Sequence, residues 1–159
     1  MEIHDPALGL ASLVTANART KALTVAAGHP DAIVIGADTL VWLDGQALGK
    51  PSGPAQAREM LARLAGRVHE VATGVHLVCL EPRRHIEFHE TTRVRFRPLE
   101  DDQIEAYLSR VDVLDKAGAY ALQEHGEMII ESVEGSRSNV VGLPLERTLT
   151  ALRRFSAGA

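Results

Sequence analysis

Aromatic residues are scarce, at 4% of the chain, which weakens any reading as a single-strand nucleic-acid binder that stacks bases on aromatic platforms. Positive charge is not in excess either. The formal net charge of −4 argues against bulk nucleic-acid binding, which wants a basic surface. There is one cysteine, Cys79, so no disulfide can form within the chain. Its place in an apolar run points to a core thiol and a reducing compartment. No apolar run approaches the length of a membrane span. The opening MEIHDPAL has neither the basic region nor the apolar stretch of a secretory signal, and a cytoplasmic location is expected. No Gly-x-Gly and no G-x-S-x-G occurs, so the dinucleotide fingerprint and the serine-hydrolase nucleophile elbow are both missing. Paired cysteines are absent. Among the seven histidines, His85 and His89 are four apart on a predicted strand, two pleats from each other. His89-Glu90 begins H-E-x-x, but Arg93 stands where the second histidine belongs, and no zinc centre is expected.

What is present suits one soluble domain with a real core: 159 residues, 45% hydrophobic and 24% charged, with no repeat, linker or low-complexity segment. The most informative stretch is Ala32 to Pro51, AIVIGADTLVWLDGQALGKP. The run Ala32 to Ile35, bounded by Pro30-Asp31 and Gly36, predicts a short buried strand. Asp38 falls where such a strand would end, with Thr39 beside it. A second run, Leu40 to Leu43, leads into Asp44-Gly45, the strongest short hairpin signal. The return passes Leu48 and closes on Gly49-Lys50-Pro51. Carboxylate, hydroxyl and ammonium leaving one hairpin suit a metal-bound polyphosphate better than an apolar ligand. The plain alternatives are a turn cap for Asp38 and a solvated charge for Lys50. Gly45 to Pro51 is one residue short of a phosphate loop and carries Pro where Ser or Thr would bind metal, so that motif is rejected.

Elsewhere, Leu8 to Ala27 is helix-prone, with Arg19 and Lys21 on a polar face and Gly28 and Pro30 as stop signals. Ser52-Gly53-Pro54 opens a second helix, with Ala57, Met60, Leu61 and Leu64 at helical spacing and Gly66 ending it. Val68 to Leu80 and Ile86 to Phe96 read as strands around a turn at Glu81-Pro82. Arg93, Arg95 and Arg97 share one face of the second strand, either as a solvated or subunit-contact face or as a phosphate platform. Leu99 to Leu108 is a helix with acids at the favourable end of its dipole. Met128 to Val133 is a strand, Glu134 to Asn139 a polar turn, and Gly142-Leu143-Pro144 opens a last helix with Leu145, Leu149 and Leu152. The expected fold is α/β, a mixed sheet flanked by helices. Asp115-Lys116 is either a surface ion pair or a second acid and base, with Asp115 joining Asp38 at a metal or water and Lys116 joining Lys50 at phosphate oxygens.

GADTLVWLDGQALGKP (36–51), MLARLAGRVHEVATGV (60–75), VRFRPL (94–99), DKAGAYALQ (115–123) and EGSRSNVVGLPL (134–145) together resemble the Maf family of nucleoside triphosphate pyrophosphatases, in the family's order and over most of the chain from Asn17 onward. The resemblance implies a twisted mixed sheet flanked by helices, shared with the inosine-triphosphate pyrophosphatases, with a cleft for the nucleotide. It implies frequent homodimers, a divalent metal such as Mg2+ or Mn2+, and removal of pyrophosphate from nucleoside triphosphates. By position, Asp38 takes the proposed general-base role, and Lys50 and Lys116 match phosphate-contacting lysines. Asp115 matches an acid near the metal, and Glu2 a metal-binding glutamate. Asp112 stands where a glutamate is common. Thr39 and Gln123 match positions associated with pyrimidine selectivity. DKAGAY with Gln123 resembles the branch acting on dTTP and UTP rather than the one preferring 7-methyl-GTP. The family's opening strand and Ser-x-Ser-Pro-Arg-Arg loop have no counterpart here. The expectation is therefore a single Maf-like domain, 1–159, without that strand and arginine loop. An active pyrophosphatase is expected, with a catalytically impaired nucleotide-binding or regulatory relative of the same fold as the alternative.

Overall fold

A computed structural model describes residues 2, 3, 5 and 7–158. In chain order the elements are α1 (Leu10–Ala26), β1 (Val34–Leu43), β2 (Gln46–Leu48), α2 (Pro54–Leu64), β3 (Val68–Leu80), β4 (Arg83–Phe96), α3 (Asp101–Leu108), β5 (Ile130–Glu134), α4 (Arg137–Val141) and α5 (Leu145–Ser156), with 3-10 turns at Ala117–Ala119 and Gly126–Met128. The strands form a five-stranded antiparallel sheet in the order β2-β1-β3-β4-β5. The fold is mixed α/β, as expected, and the sheet, expected to be mixed rather than purely parallel, is antiparallel, in keeping with the long Val68 to Phe96 hairpin. β1 pairs with β2 through Val41↔Leu48 and Leu43↔Gln46. Asp44 and Gly45 both take positive φ, 52° and 78°, the pair of left-handed residues that a two-residue primed turn demands. β4 pairs with β5 from Arg93↔Glu134 to Phe96↔Ile130, with an irregularity after Arg95.

The chain resolves into two compact units, and β1, β3 and β4 each give one end to either unit. In the first unit (1–39, 72–91, 138–159), β3 is buried without a break from Ala72 to Cys79, because helices cover both of its faces. On one face α1 lies against the strands through small residues. A Cβ on Gly36 would overlap the Ala18 carbonyl and lie 2.7 Å from the Ala22 nitrogen, and one on Gly74 would overlap the Val14 carbonyl. On the other face Val75, Leu77 and Cys79 pack with Ala151 and Phe155 of α5. Of the leucines that mark α5 in the sequence, Leu152 packs against this cluster, whereas the other two do not mark the buried side. Leu145 and Leu149 are about half exposed, at 54% and 50%, while Thr148, Ala151 and Phe155 face inward.

In the second unit (40–71, 92–137), α2 buries Ala57, Met60, Leu61 and Leu64, and α3 buries Ile104 and Tyr107. Glu100 and Gln103 form a reciprocal capping box at the start of α3, satisfying amide groups that a helix N-terminus leaves unpaired. His69 of β3, Phe96 of β4 and Tyr120 meet edge to face, with ring centroids 4.9–5.5 Å apart. Val94 and Phe96 are buried while Arg93, Arg95 and Arg97 are exposed, so the arginines do share the outer face.

One expectation is corrected. Ala32 to Ile35 is not a buried strand that ends before Asp38. β1 is continuous through Asp38, and Ile33 and Ile35 are exposed. The inward positions are Gly36, Asp38 and Leu40, so the carboxylate holds a core phase of the strand.

Gly36→Ala is expected to cost about 1–3 kcal/mol, because α1 must shift to admit one methyl; a lower urea midpoint is the readout, and no change would mean α1 yields freely. A second expectation concerns acid. Burial lowers the His69 imidazole from its ordinary 6.5 to about 4, so the unfolded chain takes the proton first. Stability is therefore complete above pH 6.5 and falls as the pH drops toward 4, by about 2–3 kcal/mol from this residue. Urea unfolding at pH 7 and pH 4.5 should show a flatter acid limb in His69→Gln.

Candidate active site

Asp38 is buried, at 7% exposure, and a buried carboxylate must be paired and hydrogen-bonded to stay charged. Both of its oxygens are engaged by α1. Lys21 Nζ donates to Oδ1 at 2.7 Å, and Asn17 Nδ2 donates to Oδ2 at 3.1 Å. Asn17 and Lys21 lie one helical turn apart, so both point from one stripe of α1. The Lys21 ammonium also bridges to Glu2 Oε1 at 2.9 Å. Partial burial works to lower its pKa, but the bonds from Asp38 and Glu2 outweigh that and raise it. Asn17 closes the group: its Oδ1 accepts the Ile3 amide at 2.7 Å, and its amide also reaches the Ile3 carbonyl at 3.4 Å. That fastens the segment carrying Glu2 against α1.

Thr39 points to the other side of β1. The Thr73 hydroxyl donates to the Asn139 carbonyl at 3.0 Å, leaving its lone pair for the Thr39 hydroxyl 2.8 Å away. Thr39 also lies 3.4 Å from the Gly142 carbonyl. Thr39 and Thr73 thus fasten α4 at its middle, Asn139, and just past its C-terminus, Gly142. A separate polar group in the same unit joins Arg19, Glu87 and His76. Arg19 makes a two-point bond to Glu87 at 2.7 and 2.8 Å, and His76 Nδ1 lies 2.9 Å from the same carboxylate. The Arg19 bond holds the Glu87 carboxyl below its ordinary value. His85 stacks on His76.

The remaining sequence-predicted residues lie in the second unit. Lys50 is exposed and follows Gly49, whose carbonyl accepts the Gly118 amide at 3.1 Å. Asp115 is exposed and 3.5 Å from Lys116 Nζ, which is half-buried. Gln123 is exposed in the turn after Tyr120, and Asp112 accepts the Leu114 amide at 3.3 Å. Within their units, then, the structure gathers Glu2 with Asp38, and brings the Lys50 and Lys116 segments together. Sequence reasoning missed Lys21 and Asn17, placing Lys21 on a solvated polar face. The available signal was their four-residue spacing on a helix rich in Ala, Leu, Val and Thr. Among the described residues no three His, Cys, Asp or Glu side chains form a metal-holding group. The donor set that fits a hard divalent cation is the pair Glu2 and Asp38, two carboxylates already converging on one positive charge; such cations need only one or two protein carboxylates.

Fold and site define a mixed α/β protein whose sheet presents a buried, ammonium-paired carboxylate. The model of the Maf-like proteins matches residues 3–155, and the chain belongs to that family. It is 46% identical over 151 residues to a protein of Akkermansia muciniphila, covering 95% of this chain and 79% of that one. A protein of Moorella thermoacetica is 51% identical over 145 residues, 91% of this chain and 75% of that one. One of Symbiobacterium thermophilum is 48% identical over 145 residues, 91% and 74% respectively. Each of the three is named dTTP/UTP pyrophosphatase.

Lys21→Met would leave the buried Asp38 carboxylate with the Asn17 amide as its remaining bond. The expected loss of unfolding free energy is about 1–3 kcal/mol. An unchanged urea midpoint at neutral pH would show the pair to be energetically idle.

Proposed function

We propose that this protein hydrolyses nucleoside triphosphates of the dTTP and UTP type to the nucleoside monophosphate and pyrophosphate. The observation that carries the reading is the buried Asp38, bonded to Lys21 and Asn17 in the core phase of β1, in a chain 46–51% identical to proteins named for that activity. Each carboxylate oxygen has two lone-pair sites, so Asp38 can hold Lys21 and Asn17 and still accept a water proton. Its role is to orient that water toward the α-phosphorus. The water oxygen bonds phosphorus, the α–β bridging bond breaks, and pyrophosphate departs with the electron pair. Lys50 and Lys116 hold phosphate oxygens and stabilise the charge that develops on the leaving group. The Gln123 amide offers both a donor and an acceptor for a pyrimidine edge, with Thr39 as the second selectivity position.

Glu2 and Asp38 would hold a divalent cation, Mg2+ or Mn2+. When bound it neutralises triphosphate charge and polarises a phosphoryl oxygen. The chain's own residues supply the rest: Asn17 and Lys21 fix the carboxylate, and the Gly49–Gly118 bond fixes the lysine segments relative to each other. Cys79 is a buried free thiol, which supports a reducing, cytoplasmic setting. No helix among the described residues is long and apolar enough to cross a membrane. Leu145 and Leu149, one turn apart and half exposed on α5, support a second copy of the chain as partner.

Pyrophosphate release from dTTP, UTP, CTP and GTP with magnesium or manganese tests this directly. Turnover of dTTP and UTP, reduced by at least about a hundredfold in Asp38→Asn, is the expected result. Full activity in that variant would remove Asp38 as the base. Nucleotide binding with no pyrophosphate release would favour the binding or regulatory relative instead.

A further inference from the structure

The segment carrying Lys116 and Gln123 is held in an unfavourable backbone conformation. Gly118 and Ala119 both take positive φ, 70° and 62°. A Cβ at Gly118 would lie 2.9 Å from Val41, so glycine is required there. Ala119 has no such freedom, and an alanine keeps a left-handed backbone only when its surroundings impose it. Those surroundings are visible within the second unit. The Gly118 amide is tied to the Gly49 carbonyl. Tyr120, buried at 5% exposure, bonds through Oη to His69 Nε2 at 2.7 Å. Ala121 is gripped by Tyr107: the phenol oxygen accepts the Ala121 amide at 3.0 Å and lies 3.4 Å from its carbonyl.

His69 has no evident duty besides this one. Its Nδ1 is buried with no hydrogen-bond partner among the described residues, and an apolar side chain would avoid that cost. Burial keeps the ring neutral at ordinary pH, so it has one N–H and one lone pair, and Tyr120 Oη takes whichever Nε2 presents. Phe96 packs edge-on against both rings and fixes their planes. The result is a rigid buried anchor with Lys116 just before it in the chain and Gln123 just after.

We propose that His69 and Tyr120 are positioning residues: their hydrogen bond, with the Tyr107 grip on Ala121, sets where Lys116 meets phosphate and Gln123 meets the base. The inference rests on the pyrophosphatase reading above for its kinetic consequences and on geometry alone for its structural ones.

The test compares the full chain with Tyr120→Phe, His69→Leu and His69→Gln. Steady-state kinetics on dTTP and GTP with magnesium are paired with amide hydrogen exchange. Losing one buried hydrogen bond in Tyr120→Phe or His69→Leu should lower kcat/KM for dTTP about tenfold. The dTTP-to-GTP ratio of kcat/KM should fall, and amides from 117 to 123 should exchange faster while those of α1 do not. His69→Gln, whose amide nitrogen reaches where Nε2 stood, should stay within about threefold of the parent in kcat/KM. An unchanged kcat/KM and base ratio overturns the proposal, even if local exchange quickens. Exchange that quickens evenly along the chain also overturns it, since the bond then serves stability alone. If the parent turns over neither nucleotide, the pyrophosphatase reading fails. The anchor then stands on local quickening and falls without it.

Discussion

The structure depends first on a charge kept where charges are expensive. Asp38 occupies an inward phase of β1, between Gly36 and Leu40, where an apolar side chain would pack without penalty. It stays there because α1 delivers an ammonium at 2.7 Å and an amide at 3.1 Å. That delivery needs the helix backbone close to the strands. Closeness in turn needs the absence of side chains at Gly36 and Gly74, and the run of Ala18, Ala22 and Ala26 on the helix. Glycines, alanines and the bonded carboxylate are therefore one constraint. A bulkier residue at either glycine would lift α1 and lengthen both bonds to Asp38 at once.

The second unit meets a different demand, which is to hold long, mobile side chains by their backbones. Lysine and glutamine side chains carry much rotamer freedom, so the protein fixes the main chain on which they stand. Lys50 follows the Gly49 carbonyl that receives the Gly118 amide, and Lys116 is two residues before that amide. One backbone hydrogen bond thus sets the separation of two ammonium-bearing segments. The left-handed pair at Gly118 and Ala119 lets the chain turn sharply enough to make it.

Periodicity made the apolar skeleton legible: α2, β3 and the Asp44-Gly45 hairpin follow directly from helical spacing, an unbroken apolar run and turn chemistry. It did less well where polar residues are buried or apolar ones exposed. β1 reads as two pieces because Asp38 interrupts its apolar run, although the phase of Gly36, Asp38 and Leu40 is unbroken. Lys21 reads as solvated because a lone charge on a helix usually is. Its partner lies seventeen residues away on a strand, and no local window contains both. Leu145 and Leu149 mislead in the opposite direction, since α5 buries its smaller Thr148 and Ala151 beside Phe155. The site residues themselves came from collinear motif matches, which place roles on positions without regard to burial.

Charge balance links the site's geometry to the chemistry proposed for it. Glu2, Asp38 and Lys21 form a group of two carboxylates and one ammonium, with one net negative charge. A bare triphosphate approaching that group would be repelled, whereas one carrying a divalent cation would not. In the proposed reaction this carboxylate serves the water rather than a phosphate, because a carboxylate accepts a hydrogen bond from water and repels phosphate oxygens. In the proposed reaction phosphate contact belongs instead to Lys50 and Lys116, exposed and half-buried respectively in the second unit. Under that proposal the carboxylate serves the attacking water and the ammoniums serve the departing pyrophosphate, a division that follows from the sign of each charge.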